Sequence, residues 1–331
     1  RGVRARVTNA VASWLRADAI TDLGLDKAIN REERQGQLDD IATTVANVWK
    51  ELSTEERAQT LVVFPTHQLR GLFHDEVRET LRSEGQLKGD DQERTVLRTK
   101  PLGYAEKDRA VNYAKGDVIV FSQQVRRIGA RIGSRYVVAG SDIDANTLQL
   151  DDQSGSFIDF SLTDGKNKLP RFEVFKEAKA SFAVGDRIRI LPGDPRNLAE
   201  GLSDLTITKQ DGRGLQVTGT VDANSDQTLN DRRTIELREG STTSMMIDHD
   251  YSRTVYAAQG LSSLRVLAGF HSQSIMTSFA NLYVIGSRAR EALSIITDSL
   301  ERAIEAVSHN PGIEMSAHTA MDHMEIEHFI D

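Results

Sequence analysis

The sequence predicts an α/β domain with a parallel sheet, interrupted by an all-β insertion and preceded by a helical segment. A strand followed by a helix is indicated after residue 59, and a similar alternation returns after residue 248. Between residues 97 and 247, short alternating segments are separated by turn residues instead. A pattern that changes and then returns indicates that one domain is inserted into another.

The N-terminal stretch 1–58 is predicted to be helical. Apolar residues recur at helical spacing in two blocks, Val7–Leu15 and Ile41–Leu52. The polar stretch Arg31–Gln37 lies between these blocks.

Residues 59–96 are predicted to begin the α/β domain. Leu61–Phe64 is a continuous apolar run, which is typical of a strand buried on both faces. Pro65 ends this run, and apolar residues then recur every four positions from Leu69 to Leu81. A strand, a tight loop and a helix form the unit from which parallel sheets are built, with ligands at the strand ends.

The stretch 97–247 is predicted to be a small barrel or sandwich, because Gly, Asp and Asn turns separate short strands. The predicted strands are KGDVIVF (115–121), RYVVAG, NTLQLDD, GSFIDFSL, VGDRIRI (184–190), DLTITKQ, GLQVTGTV and RRTIELRE. An apolar segment follows Gly-Asp at both 116 and 185, which indicates two similar modules, although Gly-Asp is also common turn chemistry.

Residues 248–308 are predicted to complete the α/β domain. Val266–Phe270 and 292–298 are predicted strands, and we expect them to share one sheet with the strand near residue 61. Ser274–Val284 and the stretch SLERAIEAVSH are predicted helices. The tail 309–331 is acidic and contains histidines at five-residue steps, which drift around a helix, so we expect no metal site there.

The composition limits the classes of protein. With 331 residues, 39% hydrophobic and 27% charged, the chain is long enough for about two soluble domains. It has no cysteine, which fits a reducing cytoplasm, and no apolar run approaches the roughly 18 residues of a membrane span. The net charge of −8 argues against a globally basic nucleic-acid-binding protein, but not against a local basic patch. Because it begins with Arg and shows no signal peptide, we expect the chain to be part of a longer protein.

The phosphate-binding loop G-x-x-x-x-G-K-[ST] is absent from the sequence. Gly165-Lys166 is followed by Asn167, and position 160 is Phe instead of Gly. The chain alone therefore has no sequence for a nucleotide-phosphate cradle.

Two stretches combine turn residues with polar side chains. DYSRTVYAAQG (250–260) is a strand-to-helix turn in which Gly260 permits close packing, or it has a binding role. LYVIGSRARE (282–291) is a helix end with solvated arginines, or it presents an arginine that reaches a phosphate bidentately. Asp248–Asp250 suggests a general-acid cluster, but no nucleophile lies nearby in the sequence.

A third candidate is a basic segment inside the predicted β region. Arg126, Arg127, Arg131 and Arg135 fall within ten residues that contain no acid. They belong either to a solvated hairpin or to a loop that tracks phosphates, which stands out because the chain is otherwise acidic.

Taken in order, TLVVFPTH, DYSRTVYAAQGL and LYVIGSRARE followed by SIITD resemble motifs IV, V and VI of RecD-like superfamily-1 helicases. More closely, they are similar to the C-terminal half of the helicase region in conjugative relaxase–helicases of the TraI/TrwC type. GYAEKDRAVNYAKGDVIVF and VGDRIRI are similar to the small β insertion of that family. The resemblance covers most of residues 55–300.

The resemblance implies a RecA-like lobe (2A) with an inserted SH3-like barrel (2B). It implies that Arg288 is an arginine finger on the γ-phosphate of ATP held by the partner RecA-like lobe, with Arg290 beside it. It implies that Gln259 and Gly260 couple the nucleotide cleft to the DNA track, and that Arg290 also takes part in nucleotide coupling. The residues that it places along single-stranded DNA are Thr66, His67, Thr254 and Tyr256, although the family usually has His at this last position.

The resemblance also implies that the whole protein couples ATP hydrolysis to translocation on single-stranded DNA during plasmid transfer. ATP and Mg²⁺ would be bound mainly by a lobe absent here, so we expect this chain alone to be inactive. Implied partners are single-stranded DNA, the missing RecA-like lobe and relaxase domain, and the type IV secretion coupling protein, in the cytoplasm of a bacterial donor cell. The alternative is a vestigial helicase-like domain that binds single-stranded DNA and serves as a translocation signal. Intact Arg288 and Gln259 favour the active copy.

Overall fold

The structure is a computed structural model that describes residues 19–100, 102–162, 169–191, 194, 198–221, 232–310 and 312. The described residues separate into two compact units. The first is built from described residues of 1–86 and 250–314, and the second from those of 87–249. The predicted helical block Val7–Leu15 and the tail beyond residue 312 lie outside the described residues.

Helices in the described part of the chain are α1 (Arg31–Glu51), α2 (Thr54–Ala58), α3 (His67–Ser83), α4 (Tyr104–Lys107), α5 (Thr242–Met245), α6 (Phe279–Gly286) and α7 (Leu300–His309). The strands are β1 (Ile20–Asp22), β2 (Thr60–Phe64), β3 (Lys88–Thr99), β4 (Asp117–Phe121), β5 (Arg135–Asp142), β6 (Thr147–Asp151), β7 (Phe157–Ser161), β8 (Phe172–Val184), β9 (Ile188–Ile190), β10 (Leu202–Asp211), β11 (Gly214–Val221), β12 (Arg232–Arg238), β13 (Ile247–His249), β14 (Arg253–Thr254), β15 (Ser263–Phe270) and β16 (Ala289–Thr297). An Asn, Ser or Thr side chain accepts a first-turn N–H in each of these helices except α4, which satisfies donors that have no partner within the helix.

The first unit is an α/β layer structure around a five-stranded parallel sheet. The strand order is β1-β16-β15-β2-β14, so the predicted strands do share one sheet. Alternate residues of β15 serve opposite faces. Val266 and Ala268 join the apolar cluster with α6 and α7. On the other face α1 approaches so closely that a Cβ on Gly269 would lie 2.9 Å from Ile41 and 3.0 Å from Val45.

Two features within 1–58 differ from the predicted all-helical stretch. Ile20–Asp22 is a strand that pairs in parallel with Ile295–Thr297 of β16. Its three residues are too few to show a strand period, and its partner is distant in sequence. The polar stretch Arg31–Gln37 forms the first turns of α1 behind the Asn30 cap, because polar side chains suit the exposed start of an amphipathic helix.

The second unit is built from antiparallel sheets. One has the order β3-β8-β4-β5-β6-β7, one is β10-β11-β12, and β13 pairs with β9. Each predicted segment of the insertion contains a strand, whereas the two longest strands, β3 and β8, were not predicted. The stretch Phe175–Ala180 in β8 reads FKEAKA, which favours a helix locally, but β8 pairs along most of its length with β3. The structure establishes these antiparallel sheets, and an SH3-like barrel stays a prediction.

The first Gly-Asp turn of the insertion is held by a backbone hydrogen bond to β5 and by its own carboxylate. Gly116 has φ +93°, which favours glycine, and its N–H donates to the Val138 carbonyl over 2.8 Å. The buried Asp117 carboxylate accepts from the Ala114 N–H over 2.9 Å.

The second Gly-Asp turn repeats this geometry. Gly185 has φ +102°, and its N–H donates to the Ile207 carbonyl over 2.8 Å. The Asp186 carboxylate accepts from the Ala183 N–H over 2.6 Å. A short strand, a loop and a three-stranded meander follow both turns, so the two-module interpretation is supported by equivalent contacts.

No helix in the described ranges combines the length and apolar composition needed to cross a membrane.

Asp186 tests whether these turns hold their module together. Its side chain is fully buried, so Asp186→Ala leaves the Ala183 N–H without an acceptor. We expect the free energy of unfolding to fall by about 1–3 kcal/mol, measured by urea denaturation. Asp152→Ala is the matched control, because Asp152 closes a solvent-accessible turn through Ser154 and should have a much smaller effect. Equal losses in both variants would contradict a special role for the buried turn.

Candidate nucleic-acid interface

Three predicted DNA-binding residues meet at the carboxyl ends of β2 and β14. Thr66 follows β2 and caps α3, where its hydroxyl accepts from the Leu69 N–H over 3.3 Å. His67 begins α3 and is exposed. Thr254 pairs with Phe64 in the sheet, and its hydroxyl accepts from the Ala257 N–H over 3.2 Å. This edge of a parallel sheet is where ligands commonly bind.

The connection from β14 to β15 carries the other residues of the predicted coupling stretch. It leaves the carboxyl edge after Thr254 and reaches the amino edge at Ser263, because both strands run parallel to β2. Tyr256 lies on this connection and is 78% exposed. Gln259 and Gly260 are also exposed, and Gly260 has φ +82°, a backbone conformation that favours glycine.

Arg288 lies at the amino edge of the sheet, directly before β16. Its guanidinium donates to the Val284 carbonyl over 3.2 Å, the Leu261 carbonyl over 2.9 Å and the Ser287 hydroxyl over 3.0 Å. A structural arginine here could instead pair with Glu291 three residues further on, but the guanidinium binds these three acceptors. Three of its five N–H donors are therefore used to join the end of α6 to the connection 255–262. Arg290 is exposed on β16.

A buried charged cluster that sequence reasoning missed closes the carboxyl ends of β15 and β16. The Asp298 carboxylate accepts from the Ser272 N–H and hydroxyl, both over 2.6 Å, and from Arg302 over 3.1 Å. The His271 ring lies 3.9 Å from Asp298 and contacts the Gln37 amide over 2.9 Å. Polar residues directly after two predicted strands were the available signal.

Hydrogen bonding sets the protonation of this cluster. Burial alone raises the pKa of Asp298, but the hydrogen bonds from Ser272, the neighbouring His271 and Arg302 outweigh it, so the pKa is lowered. Asp298 is thus held as a carboxylate.

The segment before α1 covers this cluster. Arg302 donates to the Leu25 carbonyl and Gln37 to the Asp26 carbonyl, both over 2.8 Å. Gln273 exchanges two hydrogen bonds of 3.1 Å with the Ala28 backbone. The carboxyl edge is therefore occupied by the chain itself at β15 and β16, while Thr66, His67 and Thr254 stand beside it at β2 and β14.

The acidic stretch Asp248–Asp250 is engaged in structural contacts. Asp248 is buried and pairs with Arg98 and Arg189. The His249 ring stacks on Phe182 with centroids 4.5 Å apart. These contacts place both side chains in the packing of the second unit and do not favour the general-acid interpretation.

The four arginines of the basic segment separate in the second unit. Arg126, Arg127 and Arg131 are exposed on a loop, residues 122–134, that we call the basic loop. Arg127 lies over the Phe160 ring at 4.9 Å and donates to the Ser161 carbonyl over 3.0 Å. Arg135 begins β5 and turns into a cavity, so it is not part of the exposed loop face.

No His, Asp or Glu group within the described ranges is arranged to hold a metal ion.

No family model and no curated protein matches the chain. Among solved structures, it is similar to Pif1 helicase from Bacteroides bound to ADP-AlF3 and ssDNA, at 10% identity and a TM-score of 0.21 over 88% of this chain and 54% of that one. It is also similar to Pif1 helicase from Candida albicans, at 13% identity and a TM-score of 0.23 over 89% and 57%. The chain thus spans about half the length of these structures. Likeness at these TM-scores does not establish a shared fold or function, and nothing in it supports the conjugative relaxase type.

Asp298 should make the stability of the first unit depend on pH in the acid range. Because the pKa of Asp298 is lowered on folding, the folded state binds fewer protons than the unfolded state in this range. The stabilisation by the Asp298 carboxylate is therefore complete above the unfolded pKa of about 4 and is lost as the pH falls through the folded pKa. We expect Asp298→Asn to lower the free energy of unfolding near neutral pH by about 3 kcal/mol and to flatten its decline in acid. Urea unfolding across a pH series measures both. Parallel pH curves for the two proteins would show that Asp298 is not responsible.

Arg288 should contribute to folding as well as to any phosphate contact. Because it holds two carbonyls and a hydroxyl, Arg288→Ala should lower the free energy of unfolding by about 1–2 kcal/mol. Arg290→Ala, two residues further along at an exposed position of β16, should stay within about 0.5 kcal/mol of the original protein. Thermal and urea melts compare the two. An Arg288→Ala protein as stable as Arg290→Ala would mean that these hydrogen bonds add nothing to stability.

Proposed function

We propose that this chain is the strand-gripping lobe of an ATP-driven motor on single-stranded DNA. The observation that carries the proposal is the meeting of Thr66, His67 and Thr254 at the carboxyl ends of two adjacent parallel strands. These residues come from stretches that are far apart in the sequence, with the whole β insertion between them. The same two stretches resemble helicase motifs IV and V.

The chemistry at this edge suits a phosphate backbone. Each threonine hydroxyl accepts a backbone N–H and keeps its own hydrogen for a phosphate oxygen. Helix α3 begins here with no acidic residue in its first turn, and the positive end of a helix dipole favours an anion. Hydroxyls and helix N-termini are common phosphate contacts in protein–DNA complexes.

Tyr256 supplies a stacking surface next to these phosphate contacts. Its ring is mostly exposed although the neighbouring Val255 and Ala258 are anchored in the core. Stacking of a base on an aromatic ring contributes about 1–3 kcal/mol and tolerates any sequence. In the second unit, the basic loop carries exposed cations, Arg126 and Arg131, which would make salt-dependent phosphate contacts of their own.

The connection 255–262 supports a coupling role for Gln259 and Gly260. It starts at the proposed DNA edge and ends where Arg288 binds the Leu261 carbonyl. A displacement of Arg288 would therefore be transmitted to Tyr256 through the connection 255–262. The two N–H donors that Arg288 keeps are those proposed to reach a phosphate.

The finer parts of the proposal rest on the sequence resemblance. They are the TraI/TrwC type, the SH3-like barrel, plasmid transfer, the cytoplasm of a donor cell, and the relaxase and secretion partners. The residues of this chain do not fit ATP by themselves, because the sequence has no phosphate-cradle motif, so ATP and Mg²⁺ are proposed on another lobe.

One observation favours the vestigial alternative, a DNA-binding helicase-like domain without motor activity. Arg288 is already held by three acceptors, and a finger must leave at least some of them to reach a nucleotide. DNA binding is common to both alternatives, so it is the property tested first.

The purified chain should bind oligo-dT, measured by fluorescence anisotropy. Tyr256→Ala should weaken binding by about 1–3 kcal/mol because the stacking surface is removed. Tyr283→Ala is the matched control. Tyr283 is 62% exposed on α6, the helix that leads to the amino edge of the sheet instead of the carboxyl edge. Replacing Arg126 and Arg131 with Gln should reduce the salt slope by about 0.7 for each phosphate that is no longer neutralised.

Two outcomes would overturn the proposal. One is the absence of oligo-dT binding at low salt. The other is an equal drop in affinity in Tyr256→Ala and Tyr283→Ala, which would place the DNA elsewhere.

A further inference from the structure

A cavity of about 260 Å³ lies within the second unit beside the basic loop. Its walls come from β3, β5, β8 and the residues around α5. Its lining includes Arg94, Arg135, Glu177, Glu239 and Met245. The α5 wall is fastened to the basic loop, because the Thr242 hydroxyl donates to the Gly133 carbonyl over 2.9 Å.

Arg135 brings a cation with unused hydrogen-bonding capacity to this cavity. Its Nη2 donates to the Gln153 amide oxygen over 2.8 Å, and its Nη1 contacts the Met245 sulfur, which is a weak acceptor. Its Nε is buried and has no hydrogen-bond partner within the described ranges. A guanidinium has five donors, so one N–H on each of Nη1 and Nη2 is left for a ligand, while Nε is buried.

Hydrogen-bond acceptors in this cavity come from a carboxylate. Glu177 lines the cavity from β8 and forms no ion pair with any described residue. Arg94 is 7% exposed and is already paired with Glu239, so this pair adds no net charge to the wall. The cavity therefore offers donors from Arg135 and acceptors from Glu177, with little net charge.

This lining suits a neutral, polar, flat group better than a phosphate. A phosphate would meet two carboxylates as well as the arginines, and it offers no donor to Glu177. The volume lies just below the roughly 300 Å³ at which small-molecule pockets begin, which suits a ligand of the size of one base. Met245 adds an apolar, polarisable wall of the kind that packs against aromatic rings.

We propose that this cavity receives one guanine base of the bound strand. Guanine presents O6 and N7 as paired acceptors for a guanidinium, the commonest specific contact between proteins and DNA bases. Its N1–H and N2 amino group are adjacent donors that match the two oxygens of a carboxylate. The assignment rests on the proposed binding of single-stranded DNA, and it adds a sequence preference to an otherwise tolerant grip.

The basic loop positions the strand for this contact. Arg126 and Arg131 are exposed on the loop whose last residues lead directly into Arg135 and β5. Phosphate contacts set the path of a strand, and base contacts select its sequence. A strand drawn along the loop would thus present one base to the cavity.

The test compares oligo-dT carrying a single central dG with the same oligomer carrying dA or dC. The original chain should bind the dG oligomer about tenfold tighter, the usual size of one bidentate base contact. Glu177→Gln and Arg135→Gln should each reduce this preference to less than about twofold while leaving affinity for plain oligo-dT nearly unchanged. Arg126→Gln is the control, and it should weaken all oligomers equally and keep the preference.

Other outcomes would overturn the guanine site. They are equal affinity for the dG, dA and dC oligomers, or a preference that survives Glu177→Gln. Glu177 is exposed, so its variant remains informative even if Arg135→Gln does not fold.

If the chain binds no DNA, titration with GMP and AMP by calorimetry separates the two proposals. GMP binding that Glu177→Gln abolishes supports the site although the proposed function has failed. If GMP does not bind, the cavity holds water only, and the proposed guanine site is overturned.

Discussion

The pairing of β2 with β15 and β14 is the contact on which the rest of the first unit depends. Thr60–Val63 lies against Arg265–Ala268, and Val63–Phe64 lies against Arg253–Thr254. These backbone hydrogen bonds join parts of the chain that the whole β insertion separates. Because parallel strands present their carboxyl ends at one edge, the same pairing brings Thr66 and Thr254 together. The parallel register therefore fixes the candidate interface as well as the core.

Residues of the chain itself occupy part of the carboxyl edge of the sheet, so only the rest of that edge is available to a ligand. At β15 and β16, Asp298 is saturated by Ser272 and Arg302, and the segment before α1 lies over them. A buried carboxylate is tolerated only when charged and hydrogen-bonding partners surround it, so this cluster is committed to structure. Arg288 is similarly occupied at the opposite edge. Binding capacity remains where hydroxyls, a helix start and an exposed tyrosine occur without buried charge.

In the second unit, a repeated turn and two long strands organise the sheets. The turns at Gly116 and Gly185 use the same contacts: each Asp carboxylate accepts from the N–H three residues earlier, and each Gly N–H donates to a carbonyl of the meander that follows. β3 and β8 have no strong strand pattern alone and depend on distant partners, β3 on β8, and β8 on both β3 and β4. The basic segment crosses from loop to strand, which sends Arg126 and Arg131 to the solvent and Arg135 into a cavity. The arginines of this one basic segment therefore lie in two different environments.

The sequence by itself determined the elements whose signals are local. The apolar run Leu61–Phe64, the strands near 266 and 293, and the eight short segments of the insertion were predictable because strand period and turn chemistry lie within a few residues. Only the tertiary structure decided β1, β3 and β8, because their strand conformation comes from partners distant in the chain. It also decided what each polar side chain does. Whether Arg288 meets carbonyls or solvent, and whether Asp298 is exposed or enclosed, depends on which atoms packing brings within hydrogen-bond distance, and no local pattern encodes that.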